Sequence, residues 1–469
     1  GGAMRNFVLV PEALVVAGAL ALLVAGRARG RSRWWFPGAA AGLALVALVV
    51  ELWVGATLAT FFGGALVQDR FALFAKAAVL LAAALAIAVT DWTDENAPAV
   101  GMAMILLAAF GVMVIASAGD FVGLWAGLEV AAAAGVVLVS LRRSDLGLRL
   151  LVAGGVASAL LLIGLAFIYA TTGTADLQAV RHAAATTDAT LPFGIPVLLL
   201  LGGLAVRAGL PPLQFVRMPV GLGASPLGAG IVIGLVAAAA LTVAVKVAAL
   251  LTLVPAAFSP YLLVAAAVAM VGGGAAALAT RSPRARLAYL AAGQVGWVAA
   301  GLATHYRSGL GASVFLLGAF AIAATAGPAV MGGADIGEFA LAGMGLLRPA
   351  RAAAIALVFL SLAGAPPLAG FFGEFAVAAS LAQGGQMWLL ALGGLGALMS
   401  LAAAVGTLRA IYLQNPPDDS RRAAGARLPV LTRLSTYGAI ALCVVIAGYG
   451  VFANPIVSLA DQASEALLR

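Results

Sequence analysis

The chain has 469 residues, of which 64% are apolar and 9% charged, against about 25% charged in a soluble globular domain. That composition excludes water as the main solvent of the surface. A formal charge of +8 scattered between apolar runs, with no interleaved exposed aromatics, excludes a nucleic-acid surface, and a single cysteine, Cys443, excludes internal disulfides and cysteine-ligated metal sites.

A helix needs roughly 20 apolar residues to span hydrocarbon, so the chain is read as an all-α integral membrane protein. Met4 is taken as the natural start. The first apolar run, 7–26, has no basic region before it and no small-residue cleavage site, and is read as a retained helix, not a signal peptide. Further runs follow at 36–59, 72–90, 97–117, 120–141, 148–172, 193–210, 227–254, 261–279, 287–304, 310–332, 353–382, 387–413 and 434–453, which makes about fourteen transmembrane helices. Their Gly- and Ala-rich composition suits helices packed closely in lipid.

Basic residues near the membrane mark the cytoplasmic side. One set of alternate loops holds Arg27, Arg29, Arg31 and Arg33, then Arg142, Arg143 and Arg149, Arg217, Arg281, Arg284 and Arg286, Arg348 and Arg351, and finally Arg421, Arg422, Arg427 and Arg433. The other set holds Arg70, Arg181 and Arg307, so both termini are expected on the non-cytoplasmic side.

One motif occurs twice, as Ala208-Gly209-Leu210-Pro211-Pro212-Leu213 in run seven and Ala363-Gly364-Ala365-Pro366-Pro367-Leu368 in run twelve. Paired prolines remove N–H donors and clash with the preceding turn, so both helices should be broken there. An offset of five runs is odd, so the second copy enters the membrane from the opposite side. The expected architecture is therefore two inverted five-helix repeats, each with one broken helix, at 97–254 and 261–413. Three helices (1–96) precede them, and one helix with a tail (414–469) follows. Broken helices at equivalent places in inverted halves mark ion paths in transporters; chance recurrence in a Gly- and Pro-rich chain is the bland alternative.

A charge at mid-helix costs about 2.5–3.5 kcal/mol on insertion scales. Four residues carry that cost: Glu129, about 14 Å along its helix from Asp120, Arg207 just before the first break, Lys246 in run eight, and Glu374 after the second break. The two lysines, Lys76 and Lys246, both fall in apolar runs while every loop cation is arginine. A desolvated lysine can give up its proton near neutral pH, whereas arginine holds its own. Lys246 is thus the best proton-carrying candidate, and Lys76, nearer a helix end, is expected to snorkel. Static ion pairs are the alternative for each residue; four charges flanking two related breaks favour a relay. Glu12 and Glu51 are left without a role. His182 and His305 lie in loops without ligand clusters, and no phosphate loop, nucleophile triad, haem or flavin motif is present.

Several stretches resemble subunit N of bacterial respiratory complex I, the proton-pumping NADH-quinone oxidoreductase. They are Pro11-Glu12-Ala13-Leu14, Gly127-Leu128-Glu129, Tyr169-Ala170-Thr171-Thr172-Gly173-Thr174-Ala175-Asp176-Leu177, Arg286-Leu287-Ala288-Tyr289 with Gly296-Trp297, and Leu360-Ser361-Leu362-Ala363-Gly364 with Phe371-Phe372-Gly373-Glu374-Phe375. They run collinearly along nearly the whole chain. The resemblance implies an antiporter-like subunit with no redox cofactor of its own. NAD, FMN, iron-sulfur clusters and quinone would belong to partner subunits, and other antiporter-like and small membrane subunits of complex I would be its neighbours in a bacterial plasma membrane. By position, Glu129 matches the helix-five glutamate, Arg207 the helix-seven lysine, Lys246 the helix-eight lysine and Glu374 the exit-side charge of helix twelve.

Departures from the family pattern are Arg207 for lysine, Gln214-Phe215-Val216 for His-Phe-Trp, Gln294 for a histidine, and Glu374, which is closer to subunit M. Run eleven offers no histidine or lysine between Ala323 and Pro328, which favours subunit N over subunits L and M. A subunit of a cation/proton antiporter, a membrane-bound hydrogenase arm, or a non-pumping spacer are the alternative readings on the same scaffold.

Overall fold

The protein's structure, a computed structural model, describes residues 7–27, 35–55, 59–92, 97–186, 190–210, 223–250, 259–332, 341–416 and 430–468. It is built almost wholly of helices: α1 (Val10–Arg27), α2 (Phe36–Val54), α3 (Arg70–Val89), α4 (Pro98–Ser117), α5 (Phe121–Ser140), α6 (Ser144–Thr172), α7 (Leu177–Thr186) and α8 (Thr190–Ala208). These are followed by α9 (Pro226–Leu250), α10 (Ser259–Ala279), α11 (Pro283–Ala303), α12 (Arg307–Met331), α13 (Pro349–Leu362), α14 (Ala369–Gln383), α15 (Met387–Leu413), α16 (Val430–Val451) and α17 (Ala453–Leu468). Every apolar run read from the sequence overlaps one of these helices; run twelve overlaps two, and run fourteen covers most of α16 and ends on the first residue of α17. Among the described residues, ten helices are long and apolar enough to cross a membrane.

Some local differences have clear causes. Run two ends at Val54 instead of 59, because Gly55 leaves the helix at φ +64. Ala59–Phe61 then pairs antiparallel with Leu66–Gln68 in a small hairpin, Ala59 opposite Gln68, whose turn uses Gly63 and Gly64 at positive φ. The polar helices α7 and α17, but for Ala453, lie outside the apolar runs, so a search for spans passes over both.

The core centres on α12, whose apolar window is entirely buried, and on α9, 94% buried. α12 packs against α3, α9, α11, α13, α14 and α17. Helices surrounded by other helices on all sides read as uniformly apolar. Lipid tails supply no hydrophobic drive between helices, so close approach of small residues must supply contact. At the α4–α5 crossing a Cβ on Gly111 would stand 2.5 Å from the Gly127 carbonyl oxygen; at the α10–α11 crossing one on Gly273 would stand 2.7 Å from the Gly293 nitrogen. Within α9, residues Ile231–Leu235 form a π-helical turn, packed where Gly230 and Gly234 abut Thr325 of α12. Such turns interrupt the regular helix ladder and recur at functional sites.

Both copies of the Gly-Pro motif end their helices in the same way. Gly209 and Gly364 lie at φ +72 and +70. The Leu210 amide reaches back to the Ala205 carbonyl at 3.0 Å, and the Ala365 amide to Leu360 at 2.9 Å. This is the six-to-one bond of a Schellman-type C-cap, which needs a left-handed residue and hence glycine. In run twelve the helix stops at Leu362 and resumes at Ala369, so the expected break is present. Pro366 and Pro367 lie in that gap, joined by a cis peptide bond. Pro211 and Pro212, like Gln214, Phe215, Val216 and Arg217, lie outside the described residues.

Candidate functional site

Four groupings around ionisable side chains lie along the bundle, and the four expected charges are spread over three of them. Glu129 of α5 and Arg207 of α8 are brought together directly: Arg207 Nη2 donates to Glu129 Oε1 at 2.5 Å and to the Gly154 carbonyl of α6 at 3.1 Å. The arginine side chain is 6% exposed and the glutamate 34%. Gly154 leaves room for the guanidinium, because a Cβ there would stand 3.3 Å from Nη1.

Lys246 has no carboxylate in direct contact among the described residues. Its Nζ donates to the Ala118 carbonyl at 2.7 Å and lies 5.8 Å from the centre of the Phe71 ring, within cation–π range. The Ala118 turn is tied down on two sides: the Gly119 amide bonds Ala65 of the hairpin, the Phe121 amide bonds Ala175, and the Leu177 amide bonds Gly119. Lys246 opens onto a cavity of about 180 Å³ lined also by Asp69, Asp176 and Arg181, polar enough and roomy enough for several waters. Asp69 and Lys76 are the charges that act on it most strongly. Arg181 and the end of α17 close one side, the guanidinium donating to the Leu467 and Leu468 carbonyls at 3.2 and 2.5 Å. Those carbonyls are the orphan acceptors of a helix C-terminus.

Glu374 sits on the first turns of α14, 7% exposed. Its carboxylate accepts from Gln294 Nε2 of α11 at 2.5 Å, and the same amide reaches the Leu362 carbonyl at 3.1 Å, where α13 ends. A side chain on Gly364 would collide with this carboxyl group. The glutamine thus fastens the charge to the broken helix, a role for Gln294 that its sequence position alone does not show.

The fourth grouping departs from expectation. Lys76 does not snorkel: its side chain is fully buried, 2.5 Å from Glu12 Oε1 and 3.9 Å from Glu51 Oε1. Gln68 bridges the rest, accepting from Lys76 Nζ at 2.7 Å and donating to Glu51 Oε1 at 2.7 Å. The signal available in the sequence was an ionisable residue in each of three consecutive apolar runs. What it lacked was the rotation of each helix, and the hairpin that brings Gln68 in. Arg284 and Arg286, read as loop charges, are also buried. Arg286 donates to Ala277, Thr280 and Thr407, stitching the end of α10 to α11 and α15.

Among the described residues no three His, Cys, Asp or Glu side chains converge to hold a metal. The groupings can hold charges apart, pair them, or pass a proton to water in a polar cavity. The NADH:quinone oxidoreductase/Mrp antiporter, TM family profile matches residues 118–400, from the carbonyl that holds Lys246 to a point beyond Glu374. The chain belongs to this family. Its relatives include NADH-quinone oxidoreductase subunit N of Rhodospirillum rubrum, 30% identical, covering 98% of this chain and 96% of that protein. Subunit N of Granulibacter bethesdensis is 29% identical over 98% of each. Similar solved chains come from an archaeal membrane-bound sulfane sulfur reductase (TM-score 0.80, 20% identical, 99% of this chain and 98% of that one) and from complex I of Thermus thermophilus (0.77, 22%, 96% and 99%). A chain of the Mrp complex from Dietzia is similar too (0.77, 21%, 99% and 97%). The antiporter-like membrane fold is shared with these solved chains over 96–99% of this chain.

Proposed function

We propose that the chain is the subunit N-type, proton-translocating member of the membrane arm of a bacterial NADH-quinone oxidoreductase. The observation that carries this is a buried lysine, Lys246, on a broken-helix scaffold, held by a backbone carbonyl and facing a polar cavity, in a chain collinear with subunit N relatives from end to end. Lys246 is the proton carrier. Arg207 keeps its charge and pairs with Glu129, and Glu374 with Gln294 forms the exit-side station. NAD, FMN, iron-sulfur clusters and quinone reside in partner subunits, and quinone reduction there drives the proton step here. Each proton moved outward against 100 mV stores about 2.3 kcal/mol.

The proposed topology has fourteen spans, the three-helix unit 1–96, inverted repeats at 97–254 and 261–413, and the terminal helix and tail 414–469. Both termini lie on the non-cytoplasmic side of the plasma membrane. The matching Gly209 and Gly364 caps and the glycine crossings at α4–α5 and α10–α11 support the repeat. Gentle purification through this chain tests the assembly: co-purifying flavin and iron-sulfur subunits with NADH-quinone activity are expected. Small membrane partners without redox activity would instead favour a cation/proton antiporter, the reading that the similarity to the Mrp chain supports. A non-pumping spacer, compatible with the unyielding Arg207, requires Lys246→Ala to leave proton transport intact.

A further inference from the structure

The ionic grouping in the three-helix unit has two acidic side chains for one base. Glu12 comes from α1, Glu51 from α2, Lys76 from α3, and Gln68 from the hairpin between α2 and α3. Lys76 and Glu51 are fully buried and Glu12 nearly so. α4, which also packs on α2, carries no ionisable side chain. Beyond the group, Lys246 of α9 feels the charge of Lys76, and Asp69 is occupied in capping α3 through the Ala72 amide. Of the other helices packed on α3, α12 carries Arg307 in its first turn, α16 carries Arg433, and α17 carries Asp461 and Glu465.

With all three groups ionised the unit would bear one uncompensated negative charge where water is excluded, a state disfavoured by several kcal/mol. The hydrogen bonds show where a proton would sit. Glu12 takes the short contact with Lys76, while Glu51 is 3.9 Å from it and receives the neutral amide of Gln68 on Oε1. Glu12 Oε2 and Glu51 Oε2 are both buried without a partner among the described residues, so the longer distance to Lys76 and the Gln68 amide are what single out Glu51.

We propose that Glu12, Lys76, Gln68 and Glu51 form a proton-binding site, separate from the Glu129–Lys246–Glu374 stations, that holds one exchangeable proton on Glu51 when Lys76 pairs with Glu12. Binding adds one proton from solution to a Glu51 carboxylate oxygen and takes the unit from net −1 to neutral. Because Lys76 also lies within reach of Glu51, the proton belongs to the unit: whichever carboxyl is ionised pairs with the ammonium, and the other is the acid.

Infrared difference spectra of the full chain in its native membrane complex, recorded between two pH values, test this through the carboxylic-acid C=O band. Glu51→Gln should abolish one acid band of the wild type. Glu12→Gln should abolish it as well, because one carboxylate then remains for one ammonium. Lys76→Met should add a second band, and if that variant does not accumulate, Lys76→Met with Glu12→Gln should show a single band assignable to Glu51. Single glutamine variants that both keep every wild-type acid band, or a double variant without the Glu51 band, would overturn the site. None of these readings depends on whether the complex pumps protons through Lys246.

Discussion

Arg207 and Lys246 are both buried cations in the first half of the bundle, yet their surroundings differ in kind. Arg207 is held by a carboxylate and a carbonyl, beside a partner that is a third exposed. Lys246 has a carbonyl and an aromatic face, and opens onto a polar cavity. A guanidinium does not give up its proton at any physiological pH, so its ion pair is a permanent fixture that sets the field around it. A buried ammonium without a directly bound carboxylate can exist charged or neutral, and only such a group can act as a carrier. Under the proposed function this arrangement divides labour: one cation holds and the other exchanges.

The largest effect expected from breaking this division is in Lys246→Ala. Coupled proton transport should fall about a hundredfold or more, the lower end of what a positioned proton-transfer group contributes, with the assembly intact on native gels. Next comes Arg207→Met, which leaves Glu129 without its counter-charge. The loss in thermal-unfolding experiments should be about 2 kcal/mol, below the usual cost of halving a buried pair because the glutamate is partly exposed. Adding Glu129→Gln should recover most of it. Smaller again is Gln294→Ala, which removes the donor to Glu374 and to the Leu362 carbonyl; about 1–2 kcal/mol should be lost, and Gln294→Glu should be worse, by placing a second carboxyl against the first.

The smallest effect lies outside the spans, at His305, where burial holds the imidazole below its usual range. The unfolded chain binds this proton more readily than the folded one. The contribution is thus fully present above the unfolded-state value of 6.5 and is lost as pH falls below it. His305→Asn, which tolerates the local φ of +60, should flatten that acid drift in the unfolding midpoint. It thereby separates the drift from any pH effect at the membrane charges.

Much of this was legible from residue order. The apolar runs located the helices, the doubled Gly-Pro motif located a broken helix at 363–368, and the cost of mid-span charge singled out Glu129, Arg207, Lys246 and Glu374. Partnership was not legible, because pairing depends on helix rotation and on which helices adjoin. Nothing in the order of residues places Arg207 on Glu129 instead of Lys246, or Gln294 on Glu374. The Lys76 grouping was misread for the same reason. Near a helix end a lysine normally reaches for water, but the hairpin at 59–68 folds over this one and supplies Gln68, and α1 and α2 turn Glu12 and Glu51 towards it.

Proton movement in sealed vesicles carrying the intact complex, compared for Lys246→Arg and Arg207→Lys under NADH-driven turnover, measures the division of labour most directly. Lys246→Arg should assemble and lose proton transport through this subunit, because the charge is kept but the proton is not released, while Arg207→Lys should retain it. Full transport in Lys246→Arg would contradict the account, since a permanent cation at that position would then suffice.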